Sequence, residues 1–417
     1  MLSSLAALLD VDRYAVSVAG PRVWWAGPLN VEALALESVR CALTAASAVS
    51  PGSVPKVHAE LVAANFGSVS HLRVSGRKPF MFAPMSGYFR CADGWLRTHA
   101  NFPHHAAALR QTLGVADGEQ LADALLGLPV IATETAIRAA GGVAAALRSR
   151  AEWDASQAGR AIATEPWIRF RPGDREQRPQ LKGLRVLDFT RVLAGPTATK
   201  FLASLGADVL RIDPPRMPEL LDQYLDTGAG KRSAIADLTD PAALAQARDL
   251  AASADVVMLG YRPGALARFG LDPEELHAAH PHLAVVHLDA WGDRGPWALQ
   301  RGFDSLVQAA AGIGHAYRRP DGSPGVLPVQ ALDHATGYGA AAATLALLKR
   351  GGIAHLSLAR TADRLFALPT PTASPLDLDV PFDEIDSAYG KLRQVRPLAG
   401  ESRPPGEYGA ASLAWVS

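Results

Sequence analysis

Residues 184–214 constrain the fold more than any other stretch of this chain. Leu184 to Phe189 is a short apolar run, partly β-branched, of the kind that forms a strand covered on both faces of a parallel sheet. Ala194, Gly195 and Pro196 break the run, and Pro196 suits the first residue of a helix, where a missing N–H costs nothing. Phe201, Leu202 and Leu205 recur at helical spacing, and Gly206 can close the helix in a left-handed cap. Asp208 to Ile212 then reads as a second strand. This strand–helix–strand unit is the building block of a doubly wound fold. The first turn lacks the Gly-x-Gly-x-x-Gly pattern that lets a backbone approach a pyrophosphate. Nicotinamide binding is therefore disfavoured, although Asp213 stands where dinucleotide enzymes hold a ribose hydroxyl.

The alternation continues downstream. Asp240 is a good N-cap for a helix over Pro241 to Ser253, Asp255 to Leu259 reads as a strand, Pro273 to Ala279 as a helix and Leu283 to Leu288 as a strand. The expected class is α/β: a Rossmann-like open parallel sheet plus a smaller α/β domain. Upstream, Val31 to Val49 is an Ala- and Leu-rich helix stopped at Ser50-Pro51-Gly52. Asp93-Gly94, between Tyr88-Phe89-Arg90 and Trp95-Leu96-Arg97, marks a hairpin. A helix is expected over His104 to Leu113 and two more over Leu121 to Arg150. Pro172-Gly173-Asp174 and Arg178-Pro179 read as loops, and Tyr389 to Val395 as one late strand in a Pro-rich tail. The expected division is a small α/β region over 1–150, a linker over 151–180, the Rossmann-like domain over 181–370 and a C-terminal extension over 371–417.

A length of 417 residues allows two or three such domains and a large core. The 41 basic and 41 acidic residues balance, which argues against nucleic acid or an anionic membrane as a partner. Cys41 and Cys91 are the only cysteines and have no metal-type spacing. His99, His104 and His105 lack a convergent carboxylate or cysteine, so they read as solvated histidines at a helix start rather than a metal site. Met1 to Asp12 has no basic region before its apolar stretch, and no run reaches the length of a membrane span. A cytoplasmic protein without metal is expected.

Asp333 follows the short apolar run Val329 to Leu332 and precedes the helical stretch Ala335 to Arg350. At a helix N-terminus an aspartate can be a cap. The cap is the commoner role of an aspartate there, but the same position favours an ionised carboxylate and nearby N–H groups could hold an oxyanion, so a nucleophile is compatible as well.

The motifs resemble those of the family III CoA-transferases, the group of formyl-CoA and carnitine-CoA transferases and α-methylacyl-CoA racemases. After residues 184–214 the likeness runs through Gly230-Lys231-Arg232-Ser233, Ala254-Asp255-Val256-Val257 and Tyr261-Arg262-Pro263-Gly264-Ala265-Leu266. It continues through Gly295-Pro296-Trp297, Gly302-Phe303-Asp304 and Leu332-Asp333-His334, in the family's order. The resemblance implies that Asp333 is the nucleophile, forming an aspartyl mixed anhydride and then an aspartyl-CoA thioester. It implies that Val192, Leu193 and Ala194 line the pantetheine arm of coenzyme A, and that Tyr261, Arg262 and Phe269 wall the adenine side. Lys231, Arg268 and Arg301 match cations that touch CoA. Pro214 stands where some transferases have a phosphate-binding arginine, with Arg211 and Arg216 close by. The implied substrates are an acyl-CoA and a carboxylic acid acceptor, with no cofactor beyond coenzyme A itself, and the implied assembly is a homodimer.

Two features depart from the family. Racemases carry Gly-His-Asp where this chain has Gly302-Phe303-Asp304, and Phe303 cannot move a proton. That favours transfer over racemisation unless His334 substitutes. The hairpin at Asp93-Gly94 resembles the family's small domain, which there follows the Rossmann-like part and here precedes it. Such an order fits a permuted chain or a fused double copy, and leaves a non-catalytic CoA-binding protein as a third reading.

Overall fold

The structure is a computed structural model that describes residues 1–11, 13–20, 24–50, 56–175, 180–371, 377 and 379–416. The expected helix stop at Pro51-Gly52 and the loop at Arg178-Pro179 lie outside the described residues. Strands β1 (Val18–Ala19) and β2 (Val57–His58) form a short parallel pair. After β3 (Arg73–Val74), strands β4 (Gly87–Arg90), β5 (Trp95–Thr98) and β6 (Ala144–Ala146) build a small antiparallel sheet in the order β4-β5-β6. The main sheet uses β7 (Ile168–Pro172), β8 (Arg185–Phe189), β9 (Asp208–Asp213), β10 (Arg232–Ile235), β11 (Val256–Leu259), β12 (Ala284–Asp289) and β13 (Gly352–Ser357). A third sheet joins β14 (Phe382–Ser387), β15 (Gly390–Val395) and β3.

The main sheet runs β10-β9-β8-β11-β12-β13-β7, parallel throughout except for β7. The order reverses between β8 and β11, which pair with Val186 opposite Val256 and Leu187 opposite Val257. Ligands of doubly wound sheets bind outside the carboxyl ends of the strands at such a reversal. One face of the sheet is covered by the Pro241–Ala252 and Pro273–Ala279 helices. The other carries the largest core, organised around the Ala331–Leu347 helix, every residue of which is buried. Its run of small residues lets two helices, Val31–Val49 and Ala194–Ser204, approach closely. At Gly337 a Cβ would stand 2.5 Å from the Ala194 carbonyl oxygen, so the crossing requires glycine.

The packing does not follow the expected division of the chain. Val31–Val49 belongs to the main core, whereas β4–β6 and their helices form a separate core around Leu96, Leu109 and Leu121. The expected linker contains two short helices and β7, an edge strand whose terminal Pro172 costs little hydrogen bonding there. Leu121 to Arg150 yields helices Gly118–Leu126 and Val130–Ala139, then β6, whose three alanines carry no strand signal. The Pro-rich tail contributes a hairpin, β14–β15, rather than one strand. The Ala194–Ser204 helix begins two residues before Pro196. Among the described residues, no helix is long and apolar enough to cross a membrane.

Candidate active site

Asp333 is the third residue of the Ala331–Leu347 helix, yet it is not the cap. That helix has no side-chain cap at Gln330; the N–H groups of Leu332 and Asp333 instead donate to Oδ2 of Asp304, each at 3.0 Å. Asp304 opens the next-door Asp304–Ala310 helix and is fully buried. Its other oxygen accepts from Gln308 Nε2, while Gln308 Oε1 accepts the Leu327 N–H at 2.8 Å. One carboxylate thus satisfies the start of a helix to which it does not belong. It also occupies two N–H groups of the helix start, where the sequence suggested that nearby donors could hold an oxyanion.

The Asp333 carboxyl is left without a hydrogen bond among the described residues, at 5 % exposure. Burial, reinforced by the Asp304 carboxylate, holds its pKa well above the usual range. Burial likewise raises Asp304 to about 6, against the opposing hydrogen bonds from Gln308 and the two backbone N–H groups. The pair cannot ionise independently.

Asp333 faces a cleft of about 290 Å³ at the carboxyl ends of β8, β11 and β12. Val192, Ala194, Tyr261, Arg262 and Arg301 line the same cleft, so five of the residues matched to CoA contacts converge with the matched nucleophile. The turn after β8 is tight. Val192 has φ +69°, a left-handed conformation unusual for a β-branched residue, and its N–H is held by Glu219 Oε2 at 2.8 Å. A Cβ on Gly195 would stand 2.3 Å from Thr190 Cβ. Leu193 lines a second, smaller cavity of about 40 Å³, together with Phe82, His99, Phe303 and Asp333. Asp333 therefore lines both cavities, as do Phe102, Val192 and Phe303.

Other expected contacts lie elsewhere. Lys231 is buried, and its Nζ bonds Pro196 O at 2.8 Å, Thr199 Oγ1 at 2.5 Å and Asp188 Oδ2 at 3.4 Å. Burial lowers its pKa to about 7, opposed by Asp188. It braces the strand–helix unit and lines neither cavity, because its partners hold it under the Ala194–Ser204 helix. Arg268 is exposed on a short 3-10 turn with its guanidinium 4.6 Å from the Phe269 ring, and Phe269 packs against the core; neither lines the cleft. Arg211 is consumed by Asp213 and Glu219, at 2.7 and 2.9 Å, so it cannot replace the arginine missing at Pro214. The same pairing removes Asp213 as a ribose ligand. Arg216 is exposed.

The histidines depart from expectation too. His99 and His105 are buried, not solvated, because they pack on Phe102 and Phe303; the His99 and Phe303 rings stack 3.8 Å apart. Burial lowers the His99 pKa to about 3. His334 turns away from the cleft, against Phe66 and Thr197, so it does not face Asp333's cavities. Sequence reasoning missed Arg191, Phe102, His104 and His105 as cleft residues. Arg191 sits inside the diagnostic stretch and was findable. The other three come from the small-sheet region, whose docking left no periodic signal.

The model of CoA-transferase family III matches residues 181–359. Over 192 residues the chain is 37% identical to the "Probable fatty acyl-CoA transferase Rv3272" of Mycobacterium tuberculosis, covering 42% of this chain and 49% of that protein. Over 205 residues it is 34% identical to the "Succinate--glutarate CoA-transferase" of Agrobacterium fabrum, covering 44% of this chain and 51% of that protein. The crystal structure of Rv3272 aligns with a TM-score of 0.42 at 36% identity, covering 45% of this chain and 57% of that one. The chain spans about half the length of the curated relatives it matches. Residues 181–359 of this chain are therefore similar to CoA-transferase family III.

Proposed function

We propose that the protein is an acyl-CoA:carboxylate CoA-transferase with Asp333 as its nucleophile. The observation that carries this reading is a buried aspartate whose carboxyl makes no hydrogen bond among the described residues and lines both a cleft and a smaller cavity. Val192, Leu193 and Ala194 would line the pantetheine arm, with Tyr261, Arg262 and Arg301 toward the nucleotide end. The start of the Ala194–Ser204 helix has no side-chain cap, which favours an anionic group in the cleft.

In this reading the Asp333 carboxylate attacks the thioester carbonyl carbon. The carbon–sulfur bond breaks, leaving a mixed anhydride and CoA thiolate. The thiolate attacks the Asp333 carbonyl, releasing the donor acid and forming an aspartyl-CoA thioester. The acceptor carboxylate attacks that thioester, regenerating an anhydride and thiolate. Attack of the thiolate on the acceptor's acyl carbon gives the new acyl-CoA and restores the Asp333 carboxylate. Each step conserves electrons and needs no redox or metal partner. The burial of Asp333 itself limits the access of water to the anhydride. The family likeness also supports a homodimer, which light scattering at micromolar concentration would test.

The test is covalent capture. Intact mass after mixing with an acyl-CoA should show an acyl or CoA adduct, and hydroxylamine should convert Asp333 to its hydroxamate. An adduct-free protein, or an adduct on another residue, overturns the assignment.

A further inference from the structure

Transfer needs hydrogen-bond donors that the start of the Ala331–Leu347 helix does not supply. The Ala331 N–H donates to Val329 O at 2.8 Å, and the Leu332 and Asp333 N–H groups are taken by Asp304. Two of the four transfer steps attack the Asp333 carbonyl itself. Their oxyanions form on an oxygen of Asp333, at a place fixed by the protein rather than by the substrate. An anion forming in a buried site without donors is costly, and donors aimed at it are among the largest catalytic effects.

The smaller cavity beside Asp333 fits that task in size and in lining. A water needs about 10–15 Å³ of such space. A cavity of about 40 Å³ therefore holds a few oxygen atoms and no acyl chain. Asp333 is the one charged side chain along it among the described residues, since burial keeps His99 neutral. Stabilisation there has to come from neutral donors. Two polar lining residues are tethered to Asp333 through the backbone. Ser305 follows Asp304, whose carboxylate accepts from the Leu332 and Asp333 N–H groups, and its Oγ is buried without a hydrogen-bond partner. Gln330 and Asp333 are the N-cap and the third residue of one helix, the two positions whose side chains meet in a capping box. No capping bond forms here, and both side chains line the cavity instead. A hydroxyl offers one donor and a carboxamide two. Buried polar groups are satisfied as a rule. An exception beside a reactive carboxyl points to a partner that arrives with the reaction.

We infer that the Ser305 hydroxyl and the Gln330 carboxamide form the oxyanion hole for attack on the Asp333 carbonyl. The inference rests on the transferase reading, which supplies the anhydride and the thioester that are attacked. As thiolate or acceptor carboxylate adds to the Asp333 carbonyl carbon, the C=O π pair moves onto oxygen and meets the two donors. Collapse re-forms the carbonyl and expels the donor acid or the thiolate. No proton changes hands, so both donors leave each step as they entered it. Attack of Asp333 on the donor thioester differs. It puts the oxyanion on the substrate's oxygen, in the cleft lined by the uncapped start of the Ala194–Ser204 helix, and draws little on this pair.

The experiment is rapid mixing of the full chain with acetyl-, hexanoyl- or succinyl-CoA, acid quench and intact mass. An acyl adduct reports the anhydride, and a CoA adduct reports attack on the Asp333 carbonyl. Ser305→Ala and Gln330→Met should each slow the CoA adduct by about 100-fold, while the acyl adduct forms within about 3-fold of the wild-type rate and accumulates. Loss of an unpartnered hydroxyl should leave the urea midpoint of Ser305→Ala unchanged or raised, where a merely structural serine would lower it. Gln330→Met, at a half-buried position that caps nothing, carries the test should Ser305→Ala not fold. Equal slowing of both adducts, or wild-type CoA-adduct rates in both variants, overturns the oxyanion hole and leaves the transferase reading standing. A wild type that forms neither adduct with any of the three thioesters sinks that reading, and this inference with it.

Discussion

Two buried aspartates sit close to the same switch point and have opposite surroundings. Asp188, on β8, accepts from the Thr190 N–H at 2.9 Å and from the Thr190 and Thr199 hydroxyls at 2.5 Å each, with Lys231 beside it at 3.4 Å. Asp333 has the same burial and none of these partners. The difference separates a carboxylate that holds the scaffold from one whose lone pairs are kept for something that arrives later. A fully satisfied buried ion is structural by its hydrogen bonds; an unsatisfied one beside a cavity is held at a cost in stability.

The comparison breaks most visibly in the activity of Asp333→Asn. Transfer should fall by roughly three orders of magnitude or more, since an amide cannot form the anhydride. Because Asp333 caps nothing, stability should change by less than about 1 kcal/mol. Steady-state transfer and urea denaturation check the two halves, and a near wild-type rate without deamidation would remove Asp333 from the chemistry. Asp188→Ala should show the inverse pattern. Leaving Lys231 buried without its partner should cost about 3–5 kcal/mol, read as a lower urea midpoint, while transfer per folded molecule stays within a few-fold.

Asp304→Asn sharpens the contrast through pH. Removing a like charge favours the ionised form of Asp333, so the midpoint of the rise in acylation rate with pH should move to lower pH. Stability should shift as well. The folded-state pKa of Asp304 is raised to about 6, so its contribution is full below the ordinary carboxylate value near 4 and lost as pH climbs through 6. Wild type should lose stability over that interval and the Asn variant should lose less; parallel melting curves across pH 4 to 7 would count against it. The smallest effect is expected at the cleft's edge. Arg301→Ala should weaken CoA binding by about 3- to 10-fold at low ionic strength and less at high, because screening already weakens an exposed charge. Equal losses at both salts would point to packing instead.

What could be read beforehand tracks how local each signal is. β8, β9, β11 and β12 were visible as apolar runs, the Pro273–Ala279 helix was placed to the residue, and Asp240 does accept the Ala242 N–H as an N-cap. Asp333 was found through its neighbours in the chain. Lys231 was misassigned for the same reason: its motif gave its position, but burial under Pro196 is a property of the crossing helix. The cap supplied by Asp304 joins residues 29 apart, and Arg97 meets Phe82 and Tyr88 only once the hairpin has docked. No periodicity encodes either.

The outer edge of the main sheet adds a question of timing. β10 would present unpaired backbone groups, but Ala234 bridges Ala410, Ala229 bridges Pro405, and the Tyr224 hydroxyl donates to Gly406 O. On the other side of the same tail, β15 pairs with β3, more than three hundred residues earlier. During synthesis the aggregation-prone edge therefore stays open until residues 405–410 have emerged, and β3 waits for β15 just before them. Contacts of such sequence separation form slowly. A ribosome that pauses before residue 405 would release a sheet with a sticky rim, and the protein's dependence on chaperones should be concentrated in that window.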